Sequence, residues 1–299
     1  MPTLLDFRRR IRSVRNTQQI TRAMKFIAAA RLRRAQEKAV SLRPYAGGIR
    51  EVLRSAMTRI ENAEQFPLLA HRPEQRVLVL VASGERGLCG AFNGNLLRQA
   101  FEFLREKEQE GRAIEVIPIA KKSRDAFRKR SWKVVKEYLD VTTRAELSQA
   151  REIGAEVMNR YGAGEADAVY LVYNEFKNVM VQTVRVEKLL PLDREVLQEK
   201  EKERDAPPPS GADGVDYLYE QPAAEIFNRL VPRYVEMQIY RMLAESSAAE
   251  HAARMTAMES ATRNAEDVID ALTLHMNKVR QAAITREIIE VVSGAASAG

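Results

Sequence analysis

Two hydrophobic repeats, one near each end of the chain, limit what it can fold into more than any other feature. Leu4, Phe7, Ile11 and Val14 recur at spacings of three and four. The register runs on through Gln18, Thr21 and Lys25 to Ala28, Leu32, Ala35, Ala39 and Leu42. Near the other end, Met255, Met258, Thr262, Ala265, Ile269, Leu272, Met276, Val279 and Ala283 alternate in the same way without a slip. Such seven-residue patterns mark helices that pair along a narrow apolar seam. At 1.5 Å per residue, a helix over 3–57 is about 80 Å long and one over 222–293 exceeds about 100 Å. Globular helices usually run three or four turns, so these two must project, paired with something. Polar Gln18, Thr21 and Lys25 weaken the first seam at its middle, beside a second apolar face of Ile20, Met24 and Ile27.

Charge suggests the partner. The first 59 residues carry fifteen Lys/Arg against three Asp/Glu, whereas residues 217–299 carry eight against eleven. Opposite charges attract if the two segments lie side by side, and segments from the two chain ends pair most simply antiparallel. A positive surplus remains, within a net charge of +7. It calls for an acidic partner: nucleic acid, a lipid surface or an acidic protein. One cysteine, Cys89, excludes an internal disulfide and any multi-cysteine metal site, and three scattered histidines argue against zinc. No apolar run approaches the roughly 18 residues of a membrane span. The arginine-rich start resembles a transit peptide in composition. Its repeat continues unbroken to about residue 57, so it is expected to be the first half of a helix rather than a removable leader.

Between the repeats the texture changes. Strand-like runs are 76-RVLVLVA-82, 113-AIEVIPIA-120, 132-WKVVKEYL-139, 167-DAVYLVYNEF-176 and 179-VMVQTVRVEKLL-190. Helical patterns over about 92–110, 121–130 and 143–161 separate the first four. This alternation predicts a mostly parallel sheet with crossover helices. The last two runs, separated by Lys177 and Asn178, predict a hairpin. Stretch 198-QEKEKERDAPPPSGADG-214 has almost no apolar residues and reads as a loop or disordered insertion. The expected fold is thus a long antiparallel coiled coil of the N- and C-terminal segments, with a Rossmann-like α/β domain inserted between them. The divisions are 1–59, the α/β domain at 74–192, a flexible loop at 193–215, and 216–299.

Gly84, Gly87 and Gly90 follow the first strand and precede a helical pattern, as a phosphate-binding loop would. Their spacing, G-x-x-G-x-x-G, is neither G-x-G-x-x-G nor G-x-x-x-x-G-K-[ST], and no Lys-Ser/Thr pair opens the helix. No acidic residue stands at the end of the second strand to hold a ribose. A tight turn that serves as a contact surface is the better reading. Cys89 reads as a small packed residue, since His71, His251 and His275 lie on other elements. The basic runs 8-RRRIR-12 and 31-RLRR-34 could meet phosphates, but no aromatics accompany them for base stacking. No nucleophile–base or paired-carboxylate arrangement stands out. The C-terminal stretch 284-ITREIIEVVSGAASAG-299 ends a charged helix with Ile288, Ile289, Val291 and Val292, too apolar for a free helix end in water.

At this point the residues resemble a known family. From about residue 3 to the C-terminus the chain is similar to the gamma subunit of F-type ATP synthase. The likeness rests on 16-NTQQITRAMKFIAAARLRRAQ-36, 85-ERGLCGAFN-93, 216-DYLYEQP-222, 254-RMTAMESATRNAEDVI-269 and, most strongly, 277-NKVRQAAITREIIEVVSGAAS-297. The α/β middle and the loop 198–214 diverge more. Met276 stands where the family commonly has an aromatic, in a Y-N-K run. The resemblance implies a rotor shaft, passing through a ring of three alternating pairs of alpha and beta head subunits. Its rotation, driven by the proton-driven membrane c-ring, changes the catalytic nucleotide sites in sequence; hydrolysis runs it backwards. It also implies the epsilon subunit as a partner, no nucleic acid, no cofactor or metal, and no catalysis by this chain. By position, Met24 and Lys25 match the mid-shaft contact with acidic loops of the catalytic subunits. Arg280, Gln281, Thr285 and Glu287 match polar contacts with catch loops of the head, and Ile288 and Ile289 belong to the tip. Glu85 and Arg86 match a neck contact, and Tyr217, Tyr219 and Glu220 match the foot on the c-ring. The plant-type insertion with two cysteines is absent, so the expected location is peripheral, on the cytoplasmic face of a bacterial plasma membrane.

Overall fold

A computed structural model describes residues 3–58, 66, 68–143, 145–192 and 222–297. In chain order the elements are α1 (Leu4–Thr58), β1 (Arg76–Ala82), α2 (Phe92–Gln109), β2 (Ala113–Ile119), α3 (Lys121–Phe127), β3 (Lys133–Val134), α4 (Leu147–Gly162), β4 (Ala168–Phe176), β5 (Gln182–Leu190) and α5 (Ala223–Ser297). They fall into two compact units, Met1–Ala29 with Arg254–Gly299, and Ala30–Ala253.

The first unit holds the start of α1 and the end of α5. The Phe7 ring is 5.1 Å from that of His275, the Thr21 and Thr262 hydroxyls are 2.8 Å apart, and Lys25 Nζ is 3.0 Å from Glu259 Oε1. Numbers rise along one helix as they fall along the other, so the pair is antiparallel. Phe7, Thr21, Ala28, Met258 and Ala265 are buried, and the remaining seam positions of this unit are half-buried. The polar middle is accommodated because Thr21 and Thr262 hydrogen-bond to each other. The second apolar face stays in solvent: Ile20 and Ile27 are exposed, and only Met24 is half-buried.

In the second unit five strands form one sheet in the order β3-β2-β1-β4-β5. β1 runs parallel to β2 and β4, β2 parallel to β3, and β5 antiparallel to β4. Successive side chains of a strand point to opposite faces, and both faces of β1 are covered. Leu78, Leu80 and Ala82 join a core with Ile49, Leu53 and Ala56 of α1, Ile153 and Val157 of α4, and Phe227, Val235 and Ile239 of α5. Val77, Val79 and Val81 face Leu96, Ala100 and Leu104 of α2 and Phe127 of α3. A strand buried on both sides reads as the unbroken apolar run that its sequence shows.

Several sequence-based boundaries shift for identifiable reasons. The run 132–139 yields only Lys133–Val134 as strand, plus one bridge from Tyr138 to Ile119, because it lies at the sheet edge. The helix expected over 143–161 begins at Leu147, where Glu146 and Gln149 form a reciprocal capping box. The β4–β5 loop is longer than two residues: the Asn178 side chain accepts hydrogen bonds from the Met180 and Val181 amides at 2.9 and 2.8 Å, delaying β5 to Gln182. Pro44 lies inside α1 without ending it, on an exposed position.

Candidate functional site

The loop that follows β1 is where an open α/β sheet of this order would hold a ligand. Connections leave β1 and β4 in opposite directions, and the crevice outside their carboxyl ends is the usual binding place. Here two sets of intramolecular contacts occupy it. The Ser123 amide donates to Ser83 Oγ at 2.7 Å, the Lys122 amide to the Gly84 carbonyl at 3.3 Å, and the Lys121 amide to Glu85 Oε2 at 3.2 Å. The first amides of α3, which could cradle a phosphate, are therefore taken by the loop.

Helix α5 fills the rest. Ser246 Oγ donates to the Ala82 carbonyl at the end of β1 (3.2 Å), and Glu245 Oε2 accepts from the Phe176 amide at the end of β4 (3.1 Å). Every residue from Met242 to Ala252 is buried. A helix enclosed on all sides is expected to be apolar throughout; this one instead carries small and polar side chains that fit against backbone. Gly84 has a steric reason: a Cβ there would lie 2.9 Å from Glu250 Cδ and 3.1 Å from its Oε2. The first glycine of the loop thus makes room for the chain's own helix.

Glu85 is 8% exposed; its Oε1 has no hydrogen-bond partner among the described residues. Burial pushes its carboxyl above the usual carboxylate range, against the pull of the Lys121 and Asp140 amides. With exposed Arg86, and with Lys121, Asp140 and Thr143, it lines an open cleft of about 250 Å³. Lys121 and Asp140 are paired across this cleft at 3.0 Å. Leu88, which sequence reasoning missed, projects from the same loop: it is 64% exposed and takes φ 61°. That left-handed conformation costs an ordinary residue about 1–2 kcal/mol, a cost the loop backbone bears at an exposed apolar residue. Its one sequence signal is a leucine that follows Gly87 inside the glycine-bearing loop. Cys89 is buried, within 3.1 Å of Asn93 Nδ2.

On the paired helices, Lys25 is bound to Glu259, whose carboxyl that ammonium hydrogen bond holds below the usual range. Arg280, Gln281, Thr285, Glu287, Ile288 and Ile289 all lie on the last turns of α5, and all are exposed. The antiparallel register explains why. With Phe7 opposite His275, α1 begins near Val279, and α5 continues without it among the described residues. Ile288, Ile289, Val291 and Val292 are each more than half exposed. Tyr217, Tyr219 and Glu220 lie outside the described residues. Among those described, no helix is long and apolar enough to cross a membrane, and no cluster of three His, Cys, Asp or Glu could hold a metal.

Comparisons with known proteins agree with this geometry. The sequence matches the ATP synthase family over residues 3–298. It is 49% identical to the ATP synthase gamma chain of Solibacter usitatus, with all of both chains covered. It is 44% identical to that of Pelotomaculum thermopropionicum, over 99% of each. Among solved structures it resembles a chain of the Tetrahymena thermophila mitochondrial ATP synthase central stalk and c-ring, at 25% identity and a TM-score of 0.58, covering 81% of this chain and 99% of that one. A chain from the rotor of the Euglena gracilis mitochondrial ATP synthase shares the fold at 19% identity and a TM-score of 0.60, with 94% and 98% covered.

Proposed function

The chain belongs to the ATP synthase gamma-chain family, and on that premise we propose that it is the central rotor shaft of an F-type ATP synthase. The antiparallel ends of α1 and α5 form the shaft within a ring of alternating alpha and beta subunits. A shaft built from two unlike helices is asymmetric, so each catalytic subunit meets a different face of it, and turning changes their conformations in sequence. Rotation of the proton-driven c-ring then leads to ATP formation, and hydrolysis drives the shaft backwards. The chain itself is non-catalytic in this reading; nucleotides are handled by the head. Its location is the cytoplasmic face of a bacterial plasma membrane, peripheral and held through the complex.

The tip carries the argument. Four large aliphatic side chains stand in solvent where α5 has outrun α1, an arrangement without use in an isolated chain. Ile288 and Ile289 enter an apolar sleeve in the head. Arg280, Gln281, Thr285 and Glu287, spread over about the two turns that lead up to them, make polar contacts with its catch loops. Met24 and Lys25 face the acidic loops of the beta subunits, the Lys25–Glu259 pair holding the ammonium in place. Glu85 and Arg86 belong to the neck contact. Tyr217, Tyr219 and Glu220 rest on the c-ring, beside the epsilon subunit.

The test is rotation in the assembled complex. With the head anchored to a surface and a probe on the α/β body, ATP should turn the probe in discrete steps. A chain that purifies without ATP-binding subunits, or a probe that stays still while ATP is hydrolysed, would overturn the proposal.

A further inference from the structure

The geometry points to Glu245, Ser246 and Glu250 as positioning residues that key α5 into the carboxyl ends of β1 and β4, fixing the angle at which the α/β body is held on that helix under torque. This rests on the rotor reading above and adds to it the place where turning force passes between the helix and the sheet.

Three contact points define the key. Ser246 bonds the last carbonyl of β1, Glu245 bonds the last amide of β4, and Glu250 packs over Gly84 just beyond β1. β1 and β4 are neighbours in the sheet, so adjacent residues of one helical turn grip adjacent strands. Glu250, more than one turn further along, adds a third point. Contacts at three separated places oppose both rolling and tilting of the helix.

The composition of this stretch puts the angular information in those contacts. Earlier in α5, Phe227, Val231, Val235, Ile239 and Leu243 enter the core, and such burial supplies adhesion without strong direction. From 244 to 252 the side chains are mostly small: Ala244, Ser247, Ala248, Ala249 and Ala252 are buried and bring the backbone close, but offer no large knobs to resist rolling. Hydrogen bonds do have direction and weaken steeply when bent. Turning the helix by one residue position, about 100°, would pull Ser246 and Glu245 from their partners and drive Glu250 into the loop. Both acceptor and donor groups are buried, so water does not readily replace the lost bonds.

The test uses the complete complex with its head anchored, reading the angle of a rod attached at Lys129→Cys, an exposed position just after α3. At each ATP-waiting pause the spread of rod angles reports how stiffly the body is held. In Glu245→Ala/Ser246→Ala both directional bonds are lost, and the angular variance should rise at least about twofold, with stepping retained. Glu245→Gln keeps an oxygen that accepts from the Phe176 amide and should restore the native spread, which a general loss of stability would not do. Should the double variant not assemble, Ser246→Ala alone decides, since alanine preserves the helix: a wider spread supports the key and an unchanged one overturns it. A double variant as stiff as the native rotor, or a Glu245→Gln rotor as loose as Glu245→Ala, also overturns it. Failure of the unmodified complex to rotate would instead overturn the rotor reading.

Discussion

A methyl group at position 84 has no free space to enter. Its carbon would lie 2.9 Å from Glu250 Cδ, 3.1 Å from Glu250 Oε2 and 3.2 Å from Asn93 Oδ1, and that last oxygen already accepts the Gly84 amide at 2.9 Å. A flexible glutamate tip on the surface would swing aside, but Glu250 is only 5% exposed. Gly84→Ala must therefore shift α5 or the loop, and overpacking of this kind costs about 1–3 kcal/mol. For a body of this size each kcal/mol moves the melting temperature by about 2–4 °C, so a fall of about 2–12 °C is expected. Calorimetry on the purified chain measures it. The stronger check is a double-mutant cycle with Glu250→Ala, which shortens the opposing side chain. Each single variant should destabilise, and the double should be more stable than their sum by about 1 kcal/mol or more. Additive losses, or a Gly84→Ala chain that melts within about 1 °C of the native one, would refute the claim that this glycine exists to admit the helix.

Glu85→Gln should remove a pH dependence. Burial holds the native carboxyl's pKa above its unfolded value, so the folded chain binds that proton more tightly; its contribution is most favourable below the ordinary carboxylate range and declines as pH rises through the folded pKa. Urea midpoints from about pH 4 to pH 8 should show the variant gaining on the native chain as pH rises; parallel curves would contradict the assignment. Met24→Lys, which adds a charge beside the Lys25–Glu259 pair, and Arg280→Glu should both lower proton pumping per ATP hydrolysed in membrane vesicles; native coupling in both would count against these contacts. Ile288→Ser and Ile289→Ser should change the stability of the isolated chain by less than about 0.5 kcal/mol, since both side chains are exposed. The same changes should weaken its hold in the head, read as faster loss of the chain from the complex; unchanged retention would argue against the sleeve.

The seam was legible because repetition is a local property of sequence. Phe7, Thr21, Ala28, Met258 and Ala265 are buried where the seven-residue register puts them, and the aliphatic end of α5 is as bare as its composition suggests. The apolar run of β1 likewise fits the strand it forms, covered on both faces. Edges were less legible. The 132–139 run had the residue types of a strand but lies at the sheet edge with a neighbour on one side only, and Asn178 bent the hairpin through two side-chain hydrogen bonds that period-two alternation does not encode.

What the sequence determined by itself is therefore which segments are helix or strand, which face of each is apolar, and that the two ends seek each other. The tertiary structure alone decided what the glycine loop is for. Its amide partners come from α3, and the crevice it borders is filled by a helix 164 residues away along the chain, where Ser246 meets Ala82. The exposed Leu88 and the Lys25–Glu259 pair have the same character. The physical reason is that periodicity reports the direction in which a side chain points, whereas identity of the group it meets depends on how distant segments are threaded past one another. A polar run such as 245-ESSAAEH-251 looks like solvent-facing helix until the sheet ends that surround it are in place.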